Sequence, residues 1–459
     1  NNDRVKRMKI KDVLGISNAK LIVGNHEDLL ENFSKDTRTI KEGDTYVAFV
    51  GENFDGNLFF QDAFLKGAKT CILSKFDLND RDKYLDKNII LVDDTLDFIT
   101  KAATKKREGI SVPVIAVTGS VGKTSTKNLI ADVLSKKYHV LKTAGNLNTK
   151  IGLSLTLLNY QKEECIVLEM GMNQFGEIRA LTNIANPTIA VISNIGTSHI
   201  GNLGSRENIL KAKLEILEGL SGPIIVNYDN DMLGNWVNQE EDREIITFGI
   251  DSEANYQASN IRYSKRGSSF TLGNLKFQIP VIGKAFIYNA LVSYIVGKLL
   301  FVNEEDILDA LKMIKPEEHR MEIKDRGDIT IIDDTYNASY DSVLFALDVL
   351  SRFDGRKIAV LGDILELGLY GEEIHRNIGH LIVDDSIDCL VTVGDMAMYI
   401  NEEAISNGFL ESSSFHFINN EEAVFFLKRF IQVGDVLLVK ASHGMNFIQI
   451  VDSLNEEGN

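Results

Sequence analysis

Cysteine is scarce: Cys71, Cys165 and Cys389 are the only three in 459 residues, far apart and without a CxxC pair. That set excludes a disulfide framework and a paired-cysteine zinc site. Each cysteine sits in an apolar run, so all three are expected to be buried. No apolar stretch approaches the roughly 20 residues of a membrane-spanning helix, and no signal peptide opens the chain. No membrane insertion and a cytoplasmic location are therefore expected. Positive charge is also short, with 49 Lys plus Arg against 66 Asp plus Glu and a formal charge of −17. Such a surface repels phosphate backbones and anionic lipid, which argues against nucleic-acid binding.

What is present is an ordinary globular balance, 44% apolar and 25% charged, over a length sufficient for two to four domains. Residues 8–109 mix short strands, DTYVAFV (44–50) and KTCILS (69–74), with turn chemistry at Gly51, Asp55, Gly56 and Asn57 and helical spacing over 57–68. The charged run TKKREG (104–109) reads as a linker. From Pro113 the grammar changes: VIAVTG (114–119), CIVLEMG (165–171), TIAVISNIG (188–196) and PIIVNYDN (223–230) are short apolar strands separated by helical patterns. Alternation of this kind predicts a mostly parallel sheet covered on both faces. Past Pro316 it repeats in ITIIDDTYN (329–337), KIAVLGD (357–363), CLVTVGD (389–395) and VLLVKAS (436–442). The expected architecture is α/β in three domains, 8–109, 110–315 and 316–459.

The strongest local signal is TGSVGKTS, Thr118-Gly119-Ser120-Val121-Gly122-Lys123-Thr124-Ser125, set between an apolar strand and a helix predicted over 123–137. Two glycines let backbone N–H groups turn inward around phosphate oxygens, the helix N-terminus adds partial positive charge, and Lys123 adds a full one. Thr124 comes next, with a hydroxyl able to ligate Mg²⁺. The spacing is the shortened GxxGK[ST], and its context predicts ATP binding.

The loop sits in a larger set of motifs. TGSVGKTS, TAGNLNTKIGLSLTLL (143–158), LEMGMNQFGEI (168–178) and NIGTSHIGNLGSRENILKAKLEIL (194–217) resemble the central domain of the Mur ligase family, ATP-dependent amide-bond synthetases of peptidoglycan assembly. DTR (36–38) with GENFDG (51–56) is similar to that family's UDP-sugar-binding N-terminal domain. DDTYNAS (333–339), GDILELG (362–368) and His375 resemble the branch that joins D-alanyl-D-alanine to UDP-N-acetylmuramoyl-tripeptide. The resemblance spans essentially the whole chain and implies a small N-terminal α/β UDP-sugar domain, a central P-loop ATPase-like parallel sheet and a C-terminal Rossmann-like domain. It also implies ATP and Mg²⁺ as cofactors and a monomer.

The same resemblance implies the site residues. Glu169, at a strand end that could otherwise be simply solvated, is implied as a Mg²⁺ ligand, and His199 as a ligand of a second Mg²⁺. Lys213, rather than Lys211, matches a lysine that takes up CO₂ as a carbamate and so becomes an anionic metal ligand. Asn289 matches an adenine-contacting amide, although Ala285-Phe286 stands where the family has His-Asn. Arg320 and Asp334 are implied to reach the phosphates and the ribose. Asn146, Asn148 and Thr149 look like substrate contacts; Asp36, Arg38, Asn53 and Asp55 are assigned to the UDP-sugar, and Tyr336 and Asn337 to the dipeptide. KASHGM (440–445) puts His443 where the family has Arg. Folylpolyglutamate synthetase shares the loop but lacks the DTR…GENFDG part. A ligase adding an earlier peptide residue, and a P-loop nucleotide switch that ligates nothing, are the alternative readings.

Overall fold

Three sheets organise the described residues, 7–264, 267–383 and 386–455 of a computed structural model. The first has five strands in the order Lys20–Val23, Asn88–Leu91, Thr70–Leu73, Thr45–Val47, Phe33–Ser34, of which only the first pair is antiparallel. Its turn chemistry is as expected. Asp55 Oδ1 accepts the Asn57 N–H at 3.0 Å, and a Cβ on Gly56 would lie 2.7 Å from the Phe49 carbonyl, so the chain needs glycine there.

The central sheet has nine strands. The apolar runs become Val114–Thr118, Cys165–Glu169, Ile189–Ile192 and Ile224–Asn227, buried along their whole length. Val114–Thr118 lies between Cys165–Glu169 and Ile189–Ile192, all parallel. Alternate side chains enter two cores. Ala116, Ile166 and Leu168 pack with Phe98, Leu153 and Leu181, whereas Ile115, Val117 and Val167 pack with Ile130, Leu291 and Ile295. The helix after the loop, Lys123–Leu134, is three residues shorter than predicted. The sheet also carries an antiparallel extension that the strand–helix alternation does not predict, Tyr256–Ser264, Gly267–Leu272 and Leu275–Ile279. Its one sequence signal is the two-residue Gly273-Asn274 connection, with Gly273 at φ 57°.

The third sheet has six strands, ordered Glu322–Asp325, Thr330–Asp333, Val436–Lys440, Lys357–Gly362, Cys389–Val393, Ser414–Phe417, with one antiparallel pair at the first edge. One expectation is corrected here. TKKREG is not a linker but the end of a helix, Thr95–Glu108. Asp94 caps it by accepting the Asp97 N–H at 2.8 Å, and Phe98, Ile99, Ala102 and Ala103 form its buried stripe. Lys105, Lys106 and Arg107 suit the negative helix end. Arg107 is buried, and its guanidinium donates to the carbonyls of Ala185, Ile110 and Asn186. All three cysteines are buried and unpaired. Among the described residues no helix is long and apolar enough to cross a membrane.

Candidate active site

Parallel strands end together, so the loops leaving their carboxyl ends gather at one edge of the sheet. Register pairs Glu169 with Val117 and Ile192 with Thr118, so the phosphate loop, Glu169 and the loop carrying His199 emerge side by side. Together with residues 320–349 and Lys440 they enclose a cavity of about 730 Å³.

The phosphate loop is held by its own glycines and by the neighbouring strand's loop. Gly119 has φ 153°, and a Cβ there would fall 1.9 Å from Ser193 Oγ; Gly122 has φ 79° and opens the helix. Asn194 Oδ1 accepts the N–H groups of Ser120 and Val121, both at 2.9 Å, and Ser193 Oγ donates to the Val121 carbonyl at 2.7 Å. The amines of Lys123 and Lys213 converge on one acceptor, the Gly119 carbonyl, at 3.0 and 2.9 Å. Burial first, and the neighbouring ammonium of Lys123 second, pushes the Lys213 amine well down from its ordinary value. Burial also lowers Lys123.

Two buried polar atoms near this loop make no hydrogen bond. Glu169 Oε1 accepts from Asn148 Nδ2 at 2.9 Å, but Oε2 is buried, makes no hydrogen bond and lies 3.8 Å from Lys127 Nζ. His199, held at φ 67°, has a buried Nδ1 with no hydrogen bond. Burial, then the charges of Lys123 and Lys213, pushes its imidazole down to about 4, so it is neutral at pH 7. A buried carboxylate oxygen and a neutral imidazole nitrogen without hydrogen bonds, the latter 3.9 Å from Glu366 Oε2, suit a divalent cation.

The expected residues divide into those the fold brings together and those it does not. Ser120 to Ser125, Asn146, Asn148, Thr149, Glu169, His199 and Asn289 line the cavity from the central sheet; Arg320, Asp334, Tyr336 and Asn337 line it from the C-terminal sheet. Asn146 Nδ2 donates to Tyr336 Oη at 2.9 Å, and the Arg320 guanidinium lies 3.7 Å over the Tyr336 ring. Asn289 Oδ1 accepts the Thr126 hydroxyl at 2.9 Å. Thr118, whose hydroxyl donates to the Met170 carbonyl, and Gly119 do not line the cavity, and Lys213 reaches it only through the loop.

Asp36, Arg38, Asn53 and Asp55 are also absent from the cavity and belong to the N-terminal sheet and its hairpin. Arg38 pairs with Asp36 at 2.7 Å and holds that carboxyl down at about 2; Lys75 pairs with Asp55 at 2.7 Å. Burial above all pushes the Tyr46 phenol up to about 12, and its hydroxyl donates to the Gly56 carbonyl at 3.0 Å.

Three further contributors emerge only from the structure. Lys127, four residues after Lys123 on the same helix face, donates to the carbonyls of Thr143 and Gly145 at 2.7 and 2.9 Å and sits beside Glu169. Lys440 is almost wholly buried and donates to Asp334 Oδ2 at 2.6 Å and the Asn337 carbonyl at 2.8 Å. Asn194 splints the loop. The i, i+4 spacing could have flagged Lys127; the other two lie inside quoted motifs. His375 is buried, with Nδ1 2.6 Å from the Gly371 carbonyl and Nε2 accepting the Ile364 N–H at 3.0 Å. It supports the GDILELG loop. His443 is exposed, its ring 5.9 Å from that of Tyr336.

Comparison with known proteins agrees with this geometry. The Mur ligase middle domain matches residues 117–297, and the Mur ligase, glutamate ligase domain matches residues 319–443. The chain is 36% identical over 438 residues to the UDP-N-acetylmuramoyl-tripeptide–D-alanyl-D-alanine ligase of Bacillus subtilis, with 94% of each chain covered. It is similar to MurF of Acinetobacter baumannii (TM-score 0.87, 27% identity, 99% of this chain and 100% of that one). It is also similar to the MurF ligase of Thermotoga maritima in complex with ADP (TM-score 0.80, 28% identity, 93% and 98%). A phosphate loop at a parallel sheet edge, faced by a C-terminal sheet and matched over nearly the whole length of such relatives, means that the chain belongs to the Mur ligase family.

Proposed function

We propose that this chain joins D-alanyl-D-alanine to UDP-N-acetylmuramoyl-tripeptide at the expense of ATP. The observation that carries this is the single cavity in which Lys123 and Thr124 of the phosphate loop, Glu169 and His199 meet Arg320 and Asp334 of the C-terminal sheet. A carboxylate is inert towards amines because its leaving group would be oxide. Phosphorylation solves this. A terminal carboxylate oxygen of the tripeptide attacks the γ-phosphorus of ATP, the bond to the β-phosphate bridging oxygen breaks, and ADP leaves behind an acyl phosphate. The amine of D-alanyl-D-alanine then attacks the acyl carbon, the carbon–oxygen bond to phosphate breaks, and the amine loses its proton.

Each part of the cavity has a place in this sequence. Lys123 neutralises the transferred phosphoryl from the loop side and Arg320 from the other, where the transition state spreads negative charge over the phosphoryl oxygens. Asn289 holds the adenine and Asp334 the ribose. Asn146, Asn148 and Thr149 contact the tripeptide end, while Tyr336 and Asn337 border the dipeptide. The N-terminal residues Asp36, Arg38, Asn53 and Asp55 hold the UDP-sugar. Thr124, Glu169 and His199 would hold Mg²⁺, which supplies charge neutralisation of the phosphates when bound. The buried Lys213 amine, its proton affinity lowered by burial, is suited to form a carbamate with CO₂, and the carbamate nitrogen keeps one hydrogen for the Gly119 carbonyl.

The division of labour proposed is 8–109 for the sugar nucleotide, 110–315 for ATP and 316–459 for the amine, in the cytoplasm. A working monomer is part of this reading. The deciding measurement is phosphate release with product mass. Release is expected only when UDP-N-acetylmuramoyl-tripeptide and D-alanyl-D-alanine are both present. Slow hydrolysis indifferent to either would instead indicate a nucleotide switch, and coupling to an earlier precursor with a single amino acid would indicate another ligase of the family.

A further inference from the structure

The segment that delivers Arg320 is unusually constrained. Both of its neighbours, His319 and Met321, have left-handed backbones, φ 61° and 55°, which residues with a Cβ keep only when surrounding contacts enforce it. The contacts are present. The Met321 N–H donates to Asp334 Oδ1 at 3.0 Å, and the Tyr336 N–H donates to the His319 carbonyl at 3.0 Å. The His319 ring adds to the set, with Nδ1 2.8 Å from Oδ2 of the fully buried Asp333, while the His319 N–H donates to Glu322 Oε2 at 3.2 Å and Arg320 Nε pairs with Glu317 Oε2 at 3.3 Å. Asp333 is itself fixed, by Lys324 Nζ at 2.6 Å and the Thr335 hydroxyl at 2.7 Å. His319, Glu322 and Asp333 have the residue types of a cation site. The Lys324 ammonium, however, already sits on the Asp333 oxygen that such a cation would need. The cluster therefore works as a strap.

We infer that His319, through its hydrogen bond to Asp333, is a positioning residue that holds Arg320 over Tyr336 and in the cavity. The inference rests on the role given above to Arg320. It is separable from fold stability, because three side chains at position 319 divide the backbone angle from the hydrogen bond. Glycine adopts φ 61° freely but has no ring. Asparagine tolerates the left-handed region, and its Nδ2 stands as many bonds from Cα as the histidine Nδ1.

The experiment is steady-state ligation by His319→Gly, His319→Asn, Arg320→Ala and the double variant His319→Gly/Arg320→Ala, with thermal unfolding of each. Expected are a fall in kcat of about tenfold for His319→Gly with each KM within about twofold, and recovery of most of that loss in His319→Asn. In the Arg320→Ala background, His319→Gly is expected to remove nothing more from the residual turnover. Parental kcat in His319→Gly, equal losses in the Gly and Asn variants, or losses that multiply in the double variant would each overturn the strap. Parental kcat in Arg320→Ala would remove the role of Arg320 itself, and with it the inference. Loss in Arg320→Ala without loss in His319→Gly would remove the inference alone.

Discussion

Lys123 and His375 mark two ways a single side chain matters here. Lys123 waits on the Gly119 carbonyl, a neutral acceptor that a phosphate oxygen outcompetes. Lys123→Ala is expected to lower phosphate release by roughly 10²–10³-fold or more with the fold retained, checked by turnover beside circular dichroism. His375 supports the loop through two backbone bonds, and the bond from the Ile364 N–H requires an unprotonated Nε2. Burial, above all, lowers its pKa below the ordinary histidine value. The unfolded chain therefore binds the proton first on acidification. This contribution to stability is complete above about pH 6.5 and is lost as pH falls towards the folded pKa. Urea unfolding at pH 7 and pH 5 should show the parent losing stability at the lower pH and His375→Leu losing less. At pH 7 the Leu variant should be weaker by about 1–3 kcal/mol, because Ile364 keeps a buried N–H without an acceptor.

Elements explain both the successes and the errors of sequence reading. Strands such as Val114–Thr118 are legible because burial on both faces leaves an unbroken apolar run that few other structures produce. The helix Thr95–Glu108 is misread at its end because a basic last turn looks like a solvated linker when its dipole and its buried acceptors are out of view. Two of those acceptors, on Ala185 and Asn186, close the helix Glu177–Ala185, distant along the chain. Arg107→Ala should therefore destabilise the protein by ~3 kcal/mol, since the buried Ala185 and Ile110 carbonyls, and that of Asn186, lose a charged donor. Denaturant melts would detect this, and an unchanged midpoint would mean that water replaces the guanidinium. The antiparallel extension Tyr256–Ser264 to Leu275–Ile279 escapes the sequence reading for another reason. Its first strand is mostly part-exposed and carries little apolar patterning.

For the whole molecule, contacts cross from the central to the C-terminal sheet in two kinds, an apolar cluster that holds Ile200 and Leu203 together with Ile364 and Leu367, and a few polar bonds. Asp341 Oδ2 accepts the Thr197 N–H at 3.0 Å, Tyr370 Oη donates to the Gly204 carbonyl, and Asn146 donates to Tyr336. The polar bonds can be broken and remade at low cost during closure, whereas the apolar contacts set what opening must expose. Solution scattering is expected to report a measurable compaction when an ATP analogue and UDP-N-acetylmuramoyl-tripeptide are added together. A profile unmoved by both would leave the C-terminal sheet as a fixed wall. Closure also has a chemical purpose in the proposed reaction, because an acyl phosphate exposed to water is hydrolysed before the amine arrives.

The phosphate loop and the alternation of strands and helices were determined by local sequence alone. Glycine spacing, apolar runs and a lysine at a helix start act through the backbone nearby. Which groups would be left unpartnered was decided only in three dimensions. Glu169 Oε2 and His199 Nδ1 are stranded because strands distant in sequence end in register. Lys213 is stripped of water by a loop some ninety residues away along the chain. Charge, proton affinity and strain depend on who the neighbours are, and the neighbours of these residues come from packing rather than from order in the chain.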